Sequence, residues 1–184
     1  MKSRSILASA AVAAALITAV GTTAASHDDD HGRGGRRLKA ELSGFREYPS
    51  TLSTTGRGWF HAVLSKDESE IQYWLDYRDL EGSVVMAHIH FGDHHTTGGV
   101  SVWLCGTAAS PGPAGTPVCG APGGPDREAE GTLTAVNVVG PASQGIAAGE
   151  FAELVRAIKS GVTYVNVHSS KYPGGEIRGQ IRPY

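Results

Sequence analysis

His88 and His90 stand two residues apart in "MAHIHFGDHH", Met86 to His95, a stretch that holds four of the chain's eight histidines. In an extended strand side chains alternate between faces, so these two share one face while Ala87, Ile89 and Phe91 take the other. Their backbones then lie about 6.5–7 Å apart. Imidazoles converging from that distance can share one ion at metal–nitrogen bonds of about 2.0–2.1 Å. A third imidazole comes from "VTYVNVHSS", where Tyr164, Asn166 and His168 alternate with Thr163, Val165 and Val167. Three neutral imidazoles without a thiolate suit copper or zinc better than calcium or magnesium. Binding of this kind is expected to weaken as pH falls through the histidine range near ~6.5, because a protonated ring cannot ligate.

A third alternating segment, "GEIRGQIRPY", sets Ile177, Gly179 and Ile181 against Glu176, Arg178, Gln180 and Arg182. If the three strands are neighbours, their polar faces gather His88, His90, His168, Asn166, Glu176, Arg178 and Gln180. Two readings compete for that group. A buried polar network, with Arg178 paired to Glu176 or another carboxylate, fixes strand register and does no chemistry. A metal centre uses the three histidines, with Asn166 or Glu176 orienting a ring and with His94 and His95 as further ligands. Arg178 opposes a nearby cation unless a carboxylate neutralises it.

Other chemistry finds little support. No serine stands in a nucleophile elbow. The Gly-rich runs "PGPAG" and "GAPGGP" precede no helix, so neither reads as a phosphate loop. His61 reads as an isolated strand residue, and "HDDDH", His27 to His31, as a solubilising tail with copper affinity at a new N-terminus as its alternative. The only basic cluster is "GRGGRRLK" behind Asp28 to Asp30, so no stripe exists to engage a nucleic-acid backbone.

The elements that would position these groups are short and regularly punctuated. "LKAELSG", "GWFHAVLS", "EIQYWLDYRDL", "VVMAHIHFG" and "VSVWLCG" alternate or run apolar, with turn signals between them. Together with the two later segments they predict an all-β fold, an antiparallel sandwich or Greek-key barrel of about seven to eight strands. One segment differs. "AAGEFAELVRAIKSG" places Phe151, Leu154, Val155 and Ile158 at helical spacing before Gly161, which predicts one amphipathic helix within 147–160.

The ends of the chain suggest export. Lys2 and Arg4 precede "ILASAAVAAALITAV" and then small residues, the pattern of a signal peptide over 1–25. That run is too short to span a membrane, so no transmembrane segment is expected in the mature chain. A polar, disordered tail is expected over 26–37 and one β domain over 38–184. Losing Lys2 and Arg4 takes the net charge from −2 to about −4. Two cysteines in an exported chain read as a disulfide, Cys105–Cys119, closing a Gly/Pro-rich loop.

Three stretches resemble the chordin-type (CHRD) domain family: "AELSGFREYP", "AHIHFG" and "GVTYVNVHSSKYPGGEIRGQI". The last carries most of the likeness, through Tyr164, Val165, Asn166, His168, Pro173, Gly174, Gly175, Glu176, Ile177, Arg178, Gly179 and Gln180. The chain departs from the family at "EYPS", where two prolines usually follow the Glu. The resemblance implies an extracellular β-sandwich-like module, in the single-domain form of bacterial exported proteins, secreted, periplasmic or at the cell surface. It leaves the biochemical activity undefined, as a non-enzymatic module that binds a protein or a surface. A shorter likeness links "HIHFGD" to the His-x-His run before Gly-Asp in copper/zinc superoxide dismutases, and implies a redox site as a further alternative.

Overall fold

The computed structural model of the chain describes residues 35–120 and 129–184. The leader expected over 1–25 and most of the tail expected over 26–37 lie outside the described residues. The first strand starts at Arg36, two residues before the domain start read from the sequence.

Nine strands and one α-helix are described. In chain order the first five strands are β1 (Arg36–Ser43), β2 (Arg57–Leu64), β3 (Ile71–Arg78), β4 (Val84–Phe91) and β5 (Gly99–Gly106). Then come β6 (Ala129–Leu133), α1 (Phe151–Lys159), β7 (Thr163–Ser169), β8 (Ile177–Gln180) and β9 (Arg182–Pro183). Seven of these regions match the segments predicted from alternation, the last of them divided at Ile181 into β8 and β9. The sequence reading had no counterpart for β6. Its centre is Gly131, and a glycine inside a short polar run reads as a loop. A Cβ there would crowd the Tyr73 ring, at 3.0 Å.

The strands form one antiparallel sheet in the order β5-β4-β7-β8-β1-β2-β3-β6, with β9 also paired to β1. The sheet curls until its ends approach. Tyr73 on β3 donates its hydroxyl proton to the Leu104 carbonyl on β5 at 2.5 Å, although these strands stand near opposite ends of the order. The result is a nearly closed barrel. Its interior is the alternating apolar set: Leu38 and Leu42 of β1, Phe60 of β2, Leu75 of β3, Ile89 of β4 and Val165 of β7 are all buried.

Helix α1 buries Phe151, Leu154, Val155 and Ile158, the stripe that its spacing predicts. It stops at Gly161, whose φ of +72° favours glycine. The Gly161 carbonyl accepts from Gln180 Nε2 and Arg182 Nη1, both at 3.0 Å, tying the helix end to β8 and β9. A cation suits that end of a helix. Cys105 and Cys119 are bonded, as expected. No helix of the described residues is long and apolar enough to cross a membrane.

Candidate metal centre

Strands β4, β7 and β8 are adjacent, so the three polar faces do assemble. The register sets His88 opposite Asn166 and Met86 opposite His168, which makes His88 and His168 diagonal neighbours on one face. Such neighbours lie about 7–8 Å apart at the backbone, within reach of ring side chains. His90 faces Tyr164, and Asn166 faces Arg178. Irregularities in the β4–β5 ladder fall between Ala87 and His88 and between Ile89 and His90. They leave the Trp103 ring of β5 edge-on to His88, with centroids 4.2 Å apart.

This outer face is closed to water. His88, His90 and His168 are 2%, 8% and 6% exposed. One ligand atom from each of the three lies within 4.8 Å of the others. His168 Nδ1 gives its proton to the Pro173 carbonyl at 3.0 Å, and His90 Nδ1 gives its own to the Gly98 carbonyl at 2.9 Å. A carbonyl can only accept, so these contacts fix both tautomers and leave both Nε2 atoms as lone pairs. His168 Nε2 meets His88 Nδ1 at 3.2 Å. In the neutral cluster His88 therefore donates to His168, and His88 Nε2 is a lone pair too. Neither His88 Nε2 nor His90 Nε2 has a partner, although both atoms are buried. Buried acceptors of this kind are costly to leave bare.

That arrangement fits a metal ion. Two nitrogens 3.2 Å apart, each ~2.05 Å from one ion, subtend about 100° at it, close to the tetrahedral angle. An ion there would take the place of the proton between His88 Nδ1 and His168 Nε2, and His88 would carry that proton on its Nε2 instead. His90 Nε2 supplies the third lone pair, and the widest pair must close from at most 4.8 Å to about 3.3 Å, a side-chain adjustment. The orienting groups are the Gly98 and Pro173 carbonyls, not Asn166 or Glu176 as the sequence suggested. His94 and His95 are exposed on the loop after β4 and stand outside the cluster.

Burial also prepares the rings electrostatically. Desolvation, with the neighbouring imidazoles, lowers His88 to about 3. Desolvation lowers His90 to about 4 against the opposing pull of the Gly98 carbonyl. His168 is lowered by the same cause. Burial therefore lowers all three rings from the ordinary histidine value, and holds His88 and His90 neutral well below it. The expectation of weakening near pH 6.5 shifts accordingly: in the folded protein, proton competition for His88 and His90 sets in nearer pH 4 than 6.5.

The remaining polar residues hold the cover in place. Arg178 does not pair with Glu176. Its guanidinium donates to the carbonyls of Asp93 and Thr96, at 2.8 and 2.9 Å, and lies 3.5 Å over the Tyr164 ring. Tyr164 in turn stacks on His90, with centroids 4.8 Å apart and planes 5° from parallel. Glu176 Oε1 accepts from Thr54 Oγ1 at 2.6 Å and from the Glu81 amide at 2.7 Å, so it anchors loops on the other side of its strand end. Gln180 donates to the Gly92 carbonyl as well as to Gly161. Gly175, at φ +127°, lets the chain pass Asn166, whose amide nitrogen would lie 2.5 Å from a Cβ.

The carboxylate that faces Arg178 is Glu47, which the sequence reading did not single out. Burial raises Glu47 to about 7, against the lowering effects of Arg178 and of a hydrogen bond from Asn166. Its signal was present within "AELSGFREYP", but a glutamate in a turn-rich stretch ordinarily faces water. His61 is exposed on β2, edge-on to Tyr184.

An antiparallel barrel with one covered polar face and three converging imidazoles defines the class of molecule. The family model of the CHRD domain matches residues 38–181, nearly all of the described chain, and the protein belongs to that family. No curated protein and no solved structure matches the chain.

Proposed function

We propose that this CHRD-domain protein is an exported, non-enzymatic binding module that holds one copper or zinc ion on His88, His90 and His168. The observation that carries the reading is the convergence of three buried imidazoles, with His88 Nδ1 3.2 Å from His168 Nε2 and the partnerless lone pair of His90 Nε2 beside them. A purely structural network would be expected to satisfy its buried acceptors. Imidazole ligands with no thiolate favour copper or zinc. Export is supported by the Cys105–Cys119 bridge, a bond of oxidising compartments, and by the leader-like N-terminal pattern.

A dismutase-like activity has less behind it. Superoxide would have to reach the ion, and the three ligands are buried. The nominated extra ligands, His94 and His95, stand apart from the cluster. Docking of a protein or a surface has one observation in its favour, the exposure of Phe45 and Tyr48 on the loop after β1.

The test is calorimetric titration of Cu(II) and Zn(II) into the protein with His27 and His31 replaced by alanine, and into the same background with His88→Ala, His90→Ala or His168→Ala. One tight site is expected. Each ligand loss should weaken it by more than ~100-fold, the upper end of what loss of a mere orienting partner costs. Equal affinity in the intact protein and all three variants would show that the cluster is only structural.

A further inference from the structure

An ion from solvent can reach three buried rings only past their cover. Over His90 that cover is the loop 92–98. Its ties are all to backbone atoms. Gly98 accepts from His90 Nδ1 and donates its amide proton to Tyr164 Oη at 3.1 Å. Arg178 grips the carbonyls of Asp93 and Thr96. The Thr96 hydroxyl and the Asp93 carboxylate bond within the loop, to the Asp93 carbonyl and the His94 amide, and the two imidazoles are left to face water. His94 and His95 are exposed, with ring centroids 6.1 Å apart. Neither imidazole has a side-chain hydrogen bond among the described residues; His95 only meets the edge of Tyr48, at 6.4 Å. The segment thus joins two adjacent solvent-facing imidazoles to the carbonyl that orients a buried one.

We propose that loop 92–98 is the loading path of the centre and that His94 and His95 form its capture site, taking a copper or zinc ion from solvent and passing it inward past His90. The inference rests on the metal-centre reading above. Two neighbouring imidazoles can replace part of an ion's water shell before it enters the dry site. Holding the ion on the loop makes the second transfer intramolecular, at an effective concentration of order ~1 mM. Exposed loops with few ties open at the low end of a protein's stability range. The tie that must break is the Gly98 contact, and its loss frees His90 to turn toward the arriving ion. The loop offers two imidazoles and the centre three, so the ion moves on to the three neutral rings.

The experiment is rapid mixing of Cu(II) with the full chain carrying His27→Ala and His31→Ala. Trp103, which touches His88, reports arrival at the centre by fluorescence quenching, and Trp103→Phe identifies that part of the signal. The added pair His94→Ala and His95→Ala lies on an exposed loop and should leave the fold intact. It is expected to slow the quench about fivefold or more, and to slow release to a chelator by the same factor, leaving Kd within about twofold. Unchanged rates with an intact quench would overturn the loading role while leaving the centre standing. Faster release with a weaker Kd would also overturn it, since His94 and His95 would then be ligands of the resting site. If the background protein shows no saturable quench, the metal-centre reading fails, and the loading role with it.

Discussion

In the β1–β2–β3 half of the barrel, burial alternates along each strand, whereas in the β4–β7–β8 half both faces of the sheet are closed to water. Leu38, Ala40 and Leu42 are buried while Lys39 and Glu41 between them are exposed. Along β7 every residue is buried, including Asn166 and His168, and the same holds for Arg178 and Gln180 of β8. The inner faces of the two halves are chemically alike. The outer faces differ in who satisfies the polar groups. Water does so on one side. On the other, backbone carbonyls of Gly92, Asp93, Thr96, Gly98 and Pro173 do it. That protein-made solvent is incomplete: buried atoms of Glu47, His88, His90, Asn166 and Glu176 have no partner, and two of them are histidine nitrogens.

The sharpest way to separate the halves is pH. The three cluster histidines titrate lower in the folded chain than their ordinary value of 6.5, with His88 near 3 and His90 near 4. Below about pH 6.5 the unfolded chain takes up protons that the folded chain refuses, so stability is full above that pH and falls as pH drops toward 4. Glu47 acts in the opposite sense, because its raised value, about 7, lets the folded chain hold a proton that the unfolded chain releases above 4.5. His88 and His90 give two protons and Glu47 offsets one, so the net is about one proton between pH 4.5 and 6.5, contributing about 1.4 kcal/mol per pH unit, with His168 adding in the same sense as the other histidines. Denaturant melts at pH 7.5 and 5 should therefore show a loss of about 2 kcal/mol. His90→Gln should flatten the slope, and Glu47→Gln should steepen it. A pH-independent midpoint would mean that water reaches the cluster.

Substitutions inside the barrel should not distinguish the halves. Ile89→Ala on β4 and Leu75→Ala on β3 each remove a side chain that is 0% exposed. Each should cost about 2–5 kcal/mol in a thermal or denaturant melt. A much smaller loss for Ile89 would break the claim that both halves share one core. Replacing both Cys105 and Cys119 by serine frees the loop that joins the edge strand β5 to the rest of the barrel. With a sequence separation of 14 between the bonded positions, the chain-entropy model gives about 3 kcal/mol, measurable against the same melt. At the small end, His61→Ala on the exposed face of β2 should change stability by no more than about 0.5 kcal/mol and leave metal affinity unchanged.

The halves also differ in how far the sequence alone described them. Alternation in "GWFHAVLS" and "EIQYWLDYRDL" places Phe60, Ala62, Leu64, Ile71, Tyr73, Leu75 and Tyr77 inside, and all are buried. The helix stripe from Phe151 to Ile158 was as legible, because one solvated face leaves a periodic trace. In the other half, parity alone put His88, His90 and His168 on a common face once β4 and β7 were taken as neighbours. The cover over them was not legible. It is built from carbonyls of Gly98 and Pro173, and main-chain groups leave no mark on residue type. Of the carboxylates open to Arg178 in the sequence, Glu47 rather than Glu176 faces it: return of the loop from Asp93 to Thr96 brings carbonyls to the guanidinium, while Glu176 is drawn to Thr54 and the Glu81 amide. Glu47 lies within a stretch that carries the family resemblance, but a glutamate among turn residues ordinarily faces water, so its burial is not legible in the sequence.

The central claim is that His88, His90 and His168 ligate one ion, and X-ray absorption at the zinc edge of the Zn(II)-loaded protein tests it most directly. The account predicts a first shell dominated by nitrogen at about 2.0–2.1 Å, with the outer-ring scattering of three imidazoles, falling to two in His90→Gln. A shell of oxygen ligands, unchanged by that substitution, would contradict it.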